Sequence, residues 1–233
     1  MPLFHRKVAY DRTRILVAAD RARSKGRRRR AIALYRRVLM VEPGDPDLHA
    51  RIAPLLARTG QRFDAWTSFR TAASAYLRAR HMEQVFSVYK EATRCLPLQI
   101  ETWRHVAKLQ RKIGRNRQAM DTLLEGRRHF RGRRRRAEAI YLLRRVRDID
   151  PWHLDSVIDL ARLLARSRQQ NEAEALLLQL AARSEGRELR RVRATLWWIA
   201  PTLQNSWLWL RAAFASLRGG GDDAATRVGA LRA

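Results

Sequence analysis

The sequence predicts an all-α fold, an α-solenoid of antiparallel helical hairpins with a 54-residue three-helix internal period. Three observations predict it. Apolar residues recur three and four positions apart: Ala31, Leu34, Tyr35 and Val38 fall at i, i+3, i+4 and i+7 and so share one helix face. No alternating run of β-branched residues survives more than a few positions, which argues against strands. Pro43, Pro97 and Pro151 keep one interval, since 97 − 43 = 54 and 151 − 97 = 54. The same step links Ala65, Ala119 and Ala173, then Leu55, Leu109 and Leu163, then the apolar set Phe69, Leu123 and Leu177. Agreement at four kinds of position marks an internal repeat.

Each element follows from local chemistry. The helix carrying Ala31 to Val38 ends at Glu42-Pro43, because proline has no N–H to continue the ladder. Pro97 and Pro151 end the equivalent helices. Gly26, Gly60 and Gly114 punctuate other turns, cutting each unit into three helices of roughly four turns. A helix from Phe63 to Ala79 serves as the second member of one hairpin and the first of the next. Another runs from Gln99 to Ile113. The stretch ATLWWIAPTLQNSWLWLRAAFASL, Ala194 to Leu217, is split by Pro201 into two short helices. In the second of these, Leu203, Trp207, Leu210, Phe214 and Leu217 form an amphipathic stripe expected to pack on the last repeat, and Trp209 falls off it. The expected organisation is an N-terminal arm (1–10), repeats (11–185), Trp-rich capping helices (186–217) and a flexible tail (218–233).

Small and aromatic residues recur at fixed places along these helices. Between Trp66 and Pro97 stand Phe69, Ala72, Ala73, Tyr76, Val85 and Tyr89, and then come Trp103, Val106, Ala107, Ala119 and Leu123. An earlier copy has Ile15, Ala18, Ala19, Ala22, Ala31, Tyr35 and Pro43; a later one has Val157, Leu160, Ala161, Leu164, Ala173 and Leu177. The pattern resembles that of tetratricopeptide repeats, W-x2-L-G-x2-Y, then A-x3-F, then P over about 34 residues, and covers roughly residues 12 to 184. The 54-residue step departs from the family's two-helix spacing. The resemblance implies a helical-repeat scaffold that binds other proteins.

Composition narrows the rest. Hydrophobic residues make up 46% of 233, ample for a core, and the lone Cys95 has no intrachain disulfide partner, so packing must hold the fold. The opening MPLFHRKVAYDRTR has no apolar run of signal-peptide length, and a cytoplasmic location is expected. Lysine and arginine number 49 against 22 acids, a net charge of +27, with only five lysines. Such a field attracts polyanions and acidic protein surfaces and weakens with salt.

Catalytic patterns are missing from the sequence. His5, His49, His81, His105, His129 and His153 have no HExxH spacing, and no phosphate-binding glycine loop follows a strand. Asp148 and Asp150 read as the end of a helix before Pro151. No catalytic residue, metal, cofactor or small-molecule substrate is expected.

Binding residues are better marked. Arg104, Lys108 and Arg111 share one helical face at i, i+4 and i+7, with Lys112 beside them, and form a candidate partner site for acidic segments. Near copies GRRRRAIALYRRV and GRRRRAEAIYLLRRV place Arg27, Arg28, Arg29 and Arg30, and Arg133, Arg134, Arg135 and Arg136, in solvated turns ahead of apolar stripes. With Arg190, Arg191 and Arg193 they are the candidate polyanion contacts of a nucleic-acid binder. Trp207, Trp209 and Phe214 are candidates for an anionic membrane surface or a dimer contact. The favoured expectation is a non-catalytic scaffold with acidic protein partners; nucleic-acid binding and membrane attachment are the alternatives.

Overall fold

A computed structural model describes residues 10–211. Among them are eleven α-helices, a further helical stretch near the end, one 3-10 turn, and no strand. Two compact units divide the chain, residues 1–109 and 110–233.

The first unit contains α1 (Arg12–Ser24), α2 (Arg28–Leu39), α3 (Pro46–Arg58), α4 (Arg62–Arg78), α5 (Met82–Cys95) and most of α6 (Ile100–Lys112). Asp11 caps α1 by accepting from the Arg14 amide at 3.0 Å, and Asp45 caps α3 by accepting from the Leu48 amide at 3.0 Å, with Pro46 just inside. From α1 to α5, consecutive helices pack on each other through short turns. Helix α4 packs on both α3 and α5, as its double role in the sequence requires, and α3 also reaches α5. The core is continuous through the unit: Ala19 and Ala22 of α1, Tyr35 and Val38 of α2, Ile52 and Leu56 of α3, Phe69, Ala72 and Ala73 of α4, Val85 and Ala92 of α5. Small side chains where helices approach and aromatic ones where they diverge fill the space.

The second unit holds α7 (Asn116–His129), a 3-10 turn (Arg133–Arg135), α8 (Arg136–Arg147), α9 (Leu154–Arg166), α10 (Gln170–Ala181) and α11 (Gly186–Ile199). Residues 203–211 are helical too. Each of α7 to α11 packs on the next, and α9 also reaches α11. Buried Ala139, Leu143, Leu160, Ala161, Leu164, Ala173, Leu177, Val192 and Leu196 make its core.

Turn chemistry repeats closely. Helices α1, α3, α4, α6 and α9 each close on a residue with left-handed φ: Gly26 (69°), Gly60 (86°), Arg80 (59°), Gly114 (78°) and Arg168 (62°). At α3, the Gly60 amide donates to the Ala57 carbonyl and the Gln61 amide to the Leu56 carbonyl, using two carbonyls the helix leaves open. At α9, the Arg168 and Gln169 amides do the same to Ala165 and Leu164. The helices beginning at Pro46, Ile100 and Leu154 start at the interval that separates the three prolines, and so do those beginning at Arg62, Asn116 and Gln170.

Two expectations change. The stripe Leu203, Trp207 and Leu210 does not pack inward: Leu203 is 93% and Trp207 65% exposed. The buried Asn205 donates its amide to the Ala200 carbonyl at 2.8 Å, and Trp209, four residues on, stacks on Trp197 with ring centroids 5.6 Å apart. That hydrogen bond and stack fix which face of the segment meets α11. The second arginine run is also not wholly solvated. Arg135 pairs with Glu138 at 3.1 Å, and Arg136 donates to the Arg166 carbonyl. Phe214, Leu217, the tail 218–233 and all but Tyr10 of the N-terminal arm lie outside the described residues.

Candidate functional site

Helix α6 presents its basic residues as its apolar spacing dictates. Trp103, Val106 and Ala107 are buried while Arg104, Lys108, Arg111 and Lys112 are exposed. Glu101 is 3.3 Å from Arg104. His105, between the two faces, stacks at 5.8 Å from Trp66 and 5.3 Å from Tyr89. Burial holds its pKa below the usual histidine value, reinforced by Arg104, Lys108 and Arg70 against the opposing pull of Glu101.

The two arginine runs end in different surroundings. Arg27 to Arg30 are all exposed around the Gly26 turn and the first turn of α2. In the second unit, Arg133 and Arg136 instead join Arg127, Arg128, Arg131 and Arg166 around a hollow of ≈ 450 Å³, whose lining also includes Phe130, Leu163 and a single carboxylate, Asp159. Sequence reading found two of these six arginines. The other four come from the end of α7, the turn after it and the end of α9, so no local pattern could have joined them.

A second recess, ≈ 600 Å³, opens between α9 and α11 in the same unit. Ile158, Arg162 and Arg166 supply one wall at i, i+4 and i+8; Arg191, Trp197 and Trp198 supply the other, and Trp209 closes it. No carboxylate lines it. Arg166 lies 5.6 Å above the Trp198 ring, and Arg162 donates to the Thr195 hydroxyl at 3.4 Å. Arg191 pairs at 2.6 Å with Asp155, which is outside the lining. Of the sequence-predicted indoles, Trp209 belongs to this recess and Trp207 faces solvent. Arg193 is spent on the Leu208 carbonyl at 2.8 Å, which ties the terminal segment to α11.

Cys95 is half-buried and its thiol is pushed up to about 11 by burial and by Glu91, the reverse of an activated nucleophile. Among the described residues no three His, Cys, Asp or Glu side chains gather to hold a metal ion, and no helix is long and apolar enough to cross a membrane.

The helical hairpins form an all-α repeat fold of the tetratricopeptide-like kind. Residues 130–196, α8 to α11 with the preceding turn, match the family model described as tetratricopeptide repeat. Among solved structures, the chain is similar to the kinesin light chain nearly identical TPR-like repeats of Podosopora anserina, at 20% identity over 89% of this chain and 95% of that one, with a TM-score of 0.41. It is similar also to a thermophilic TPR protein of Thermus thermophilus, at 15% identity over 94% and 96%, TM-score 0.32. A tetratricopeptide repeat protein of Parabacteroides merdae is alike at 14% identity over 88% and 93%, TM-score 0.32. No curated protein matches the chain.

Proposed function

We propose that the protein is a non-catalytic scaffold that holds acidic segments of partner proteins. One observation carries the reading: the recess between α9 and α11 has three guanidiniums and three indoles in its lining and no carboxylate. Arg162 and Arg166 make no ion pair among the described residues, so an incoming acidic side chain meets donors free to turn to it. The indoles offer apolar area beside those donors, which suits a peptide better than a bare polyanion. The exposed Arg104, Lys108, Arg111 and Lys112 of α6 are proposed as a further contact for acidic partners.

Titrating the full-length protein with a glutamate-rich dodecapeptide while following tryptophan fluorescence tests this. Saturable binding that weakens with salt is expected, reduced about fivefold or more by Arg162→Gln together with Trp197→Ala. Equal binding by the variant, or none by the wild type, removes the proposal.

A second reading, attachment to an anionic membrane surface, is favoured by the outward face formed by Leu203, Trp207 and Leu210. The nucleic-acid reading rests on the exposure of Arg27 to Arg30. Gel shifts across a salt series test it, and no shift even at low salt eliminates it.

A further inference from the structure

The hollow at the end of α7 collects charge beyond what its own structure uses. Six arginines line it, Arg127, Arg128, Arg131, Arg133, Arg136 and Arg166, the last with its guanidinium over Trp198 of the other recess, against the one carboxylate of Asp159. That carboxylate is taken: Arg127 approaches it with Nε at 3.0 Å and Nη2 at 3.1 Å, and uses Nη1 on the Phe130 carbonyl at 3.1 Å. Arg131 donates to the Arg128 carbonyl at 2.9 Å, and Arg136 to that of Arg166. The side chains of Arg128 and Arg133 engage no acceptor among the described residues.

Some of this charge has a local use. Arg127 and Arg128 stand in the last turn of α7, where the macrodipole favours cations. Arg133 precedes α8, where the same field opposes it. Gly132, at φ 81°, turns the chain so that Arg131 and Arg133 both line the hollow. Phe130 and Leu163, 1% and 8% exposed, put apolar matter beneath these groups, which lowers the local dielectric and strengthens both their mutual repulsion and their attraction for an anion.

We infer that this hollow binds the phosphoryl group of a phosphorylated side chain on a partner segment. One guanidinium fork can satisfy a carboxylate, whereas a phosphoryl group has three terminal oxygens and close to two charges and accepts from several forks at once. The arginines reach the hollow from three parts of the chain, the approach such a group requires. The site goes beyond the acidic-segment reading, since it discriminates phosphate from carboxylate, and it lies apart from the α9–α11 recess except for the shared Arg166.

Fluorescence anisotropy with the full-length protein at near-physiological salt decides it, using one labelled peptide in phosphoserine, serine and glutamate forms. The phosphoserine form is expected to bind at least about tenfold more tightly than the glutamate form, and Arg128→Gln with Arg133→Gln to abolish that difference without moving the thermal melt. Arg29→Gln with Arg30→Gln, in the first arginine run, is expected to change nothing. Arg162→Gln with Trp197→Ala is also expected to preserve phosphopeptide binding, which separates this site from the neighbouring recess. Equal affinity for the phosphoserine and glutamate forms, absence of binding, or indifference to Arg128→Gln/Arg133→Gln overturns the inference. Inorganic phosphate competing as strongly as the phosphopeptide assigns the site to the free ion and overturns the partner segment as its source.

Discussion

Arg168 holds, at φ 62°, the left-handed position that Gly114 holds at φ 78° one repeat step earlier. Both close a helix with the same pair of amide-to-carbonyl bonds. Only the glycine adopts that conformation without steric cost. Arg168→Gly is therefore expected to stabilise the protein by about 0.5 to 1 kcal/mol, the relief of left-handed strain less the added freedom of the unfolded chain. Urea denaturation reads the shift in midpoint, and a lower midpoint contradicts the account. Gly114→Ala is expected to cost about 1 kcal/mol through the backbone alone, since a Cβ there meets nothing within 4 Å.

Tyr35 is fully buried, and its hydroxyl donates to Asp20 at 2.6 Å, tying α2 to α1. Burial first, then Asp20, pushes its pKa up to about 12 from 10.0. The unfolded tyrosine gives up its proton first, so this contribution to stability is complete below pH 10 and is lost as pH rises towards 12. Tyr35→Phe is expected to cost about 1 kcal/mol at neutral pH and to flatten the alkaline loss. Part of that loss should remain through Tyr76, also pushed up to about 12. Thermal melts between pH 8 and 11 check both.

His105 behaves oppositely. Its depressed pKa means that the unfolded chain takes up the proton first, so the contribution of neutral His105 is complete above its ordinary value of 6.5 and is lost as pH falls through the depressed one. Melting temperature should decline on acidification from neutral pH, and His105→Gln should lessen that decline. A slope unchanged by the substitution would dissociate His105 from it.

Ala72 is fully buried in α4, a helix that packs on both α3 and α5. Ala72→Leu is expected to destabilise by about 1 to 3 kcal/mol, because the neighbouring helices would have to part. Chemical denaturation with circular dichroism measures it.

For the membrane reading, Leu203→Ser with Trp207→Ser is expected to abolish co-sedimentation with vesicles containing phosphatidylserine and leave the helical signal intact. Sedimentation unaltered by the pair excludes that face as the anchor.

Helices and their buried faces were legible because local periodicity determines them. Ala31, Tyr35 and Val38 are buried as their spacing required, and Gly26, Gly60 and Gly114 stand at left-handed turns. The turns at Arg80 and Arg168 were not legible, since arginine carries no signal for positive φ. The hollow around Arg133 was half legible: its first residues lie in one run, but Arg166 stands at the far end of the next helix from Arg136 and arrives only by helix packing. The outward turn of Trp207 depended on the Asn205–Ala200 hydrogen bond and the Trp197–Trp209 stack, neither of which hydrophobic spacing encodes.

Arg166 lines both recesses of the second unit. It does so by different parts: its carbonyl accepts from Arg136 of the hollow, while its guanidinium lies over Trp198 of the α9–α11 recess. A ligand that drew the side chain aside in the recess would leave the carbonyl, and with it the hold on Arg136, where it was.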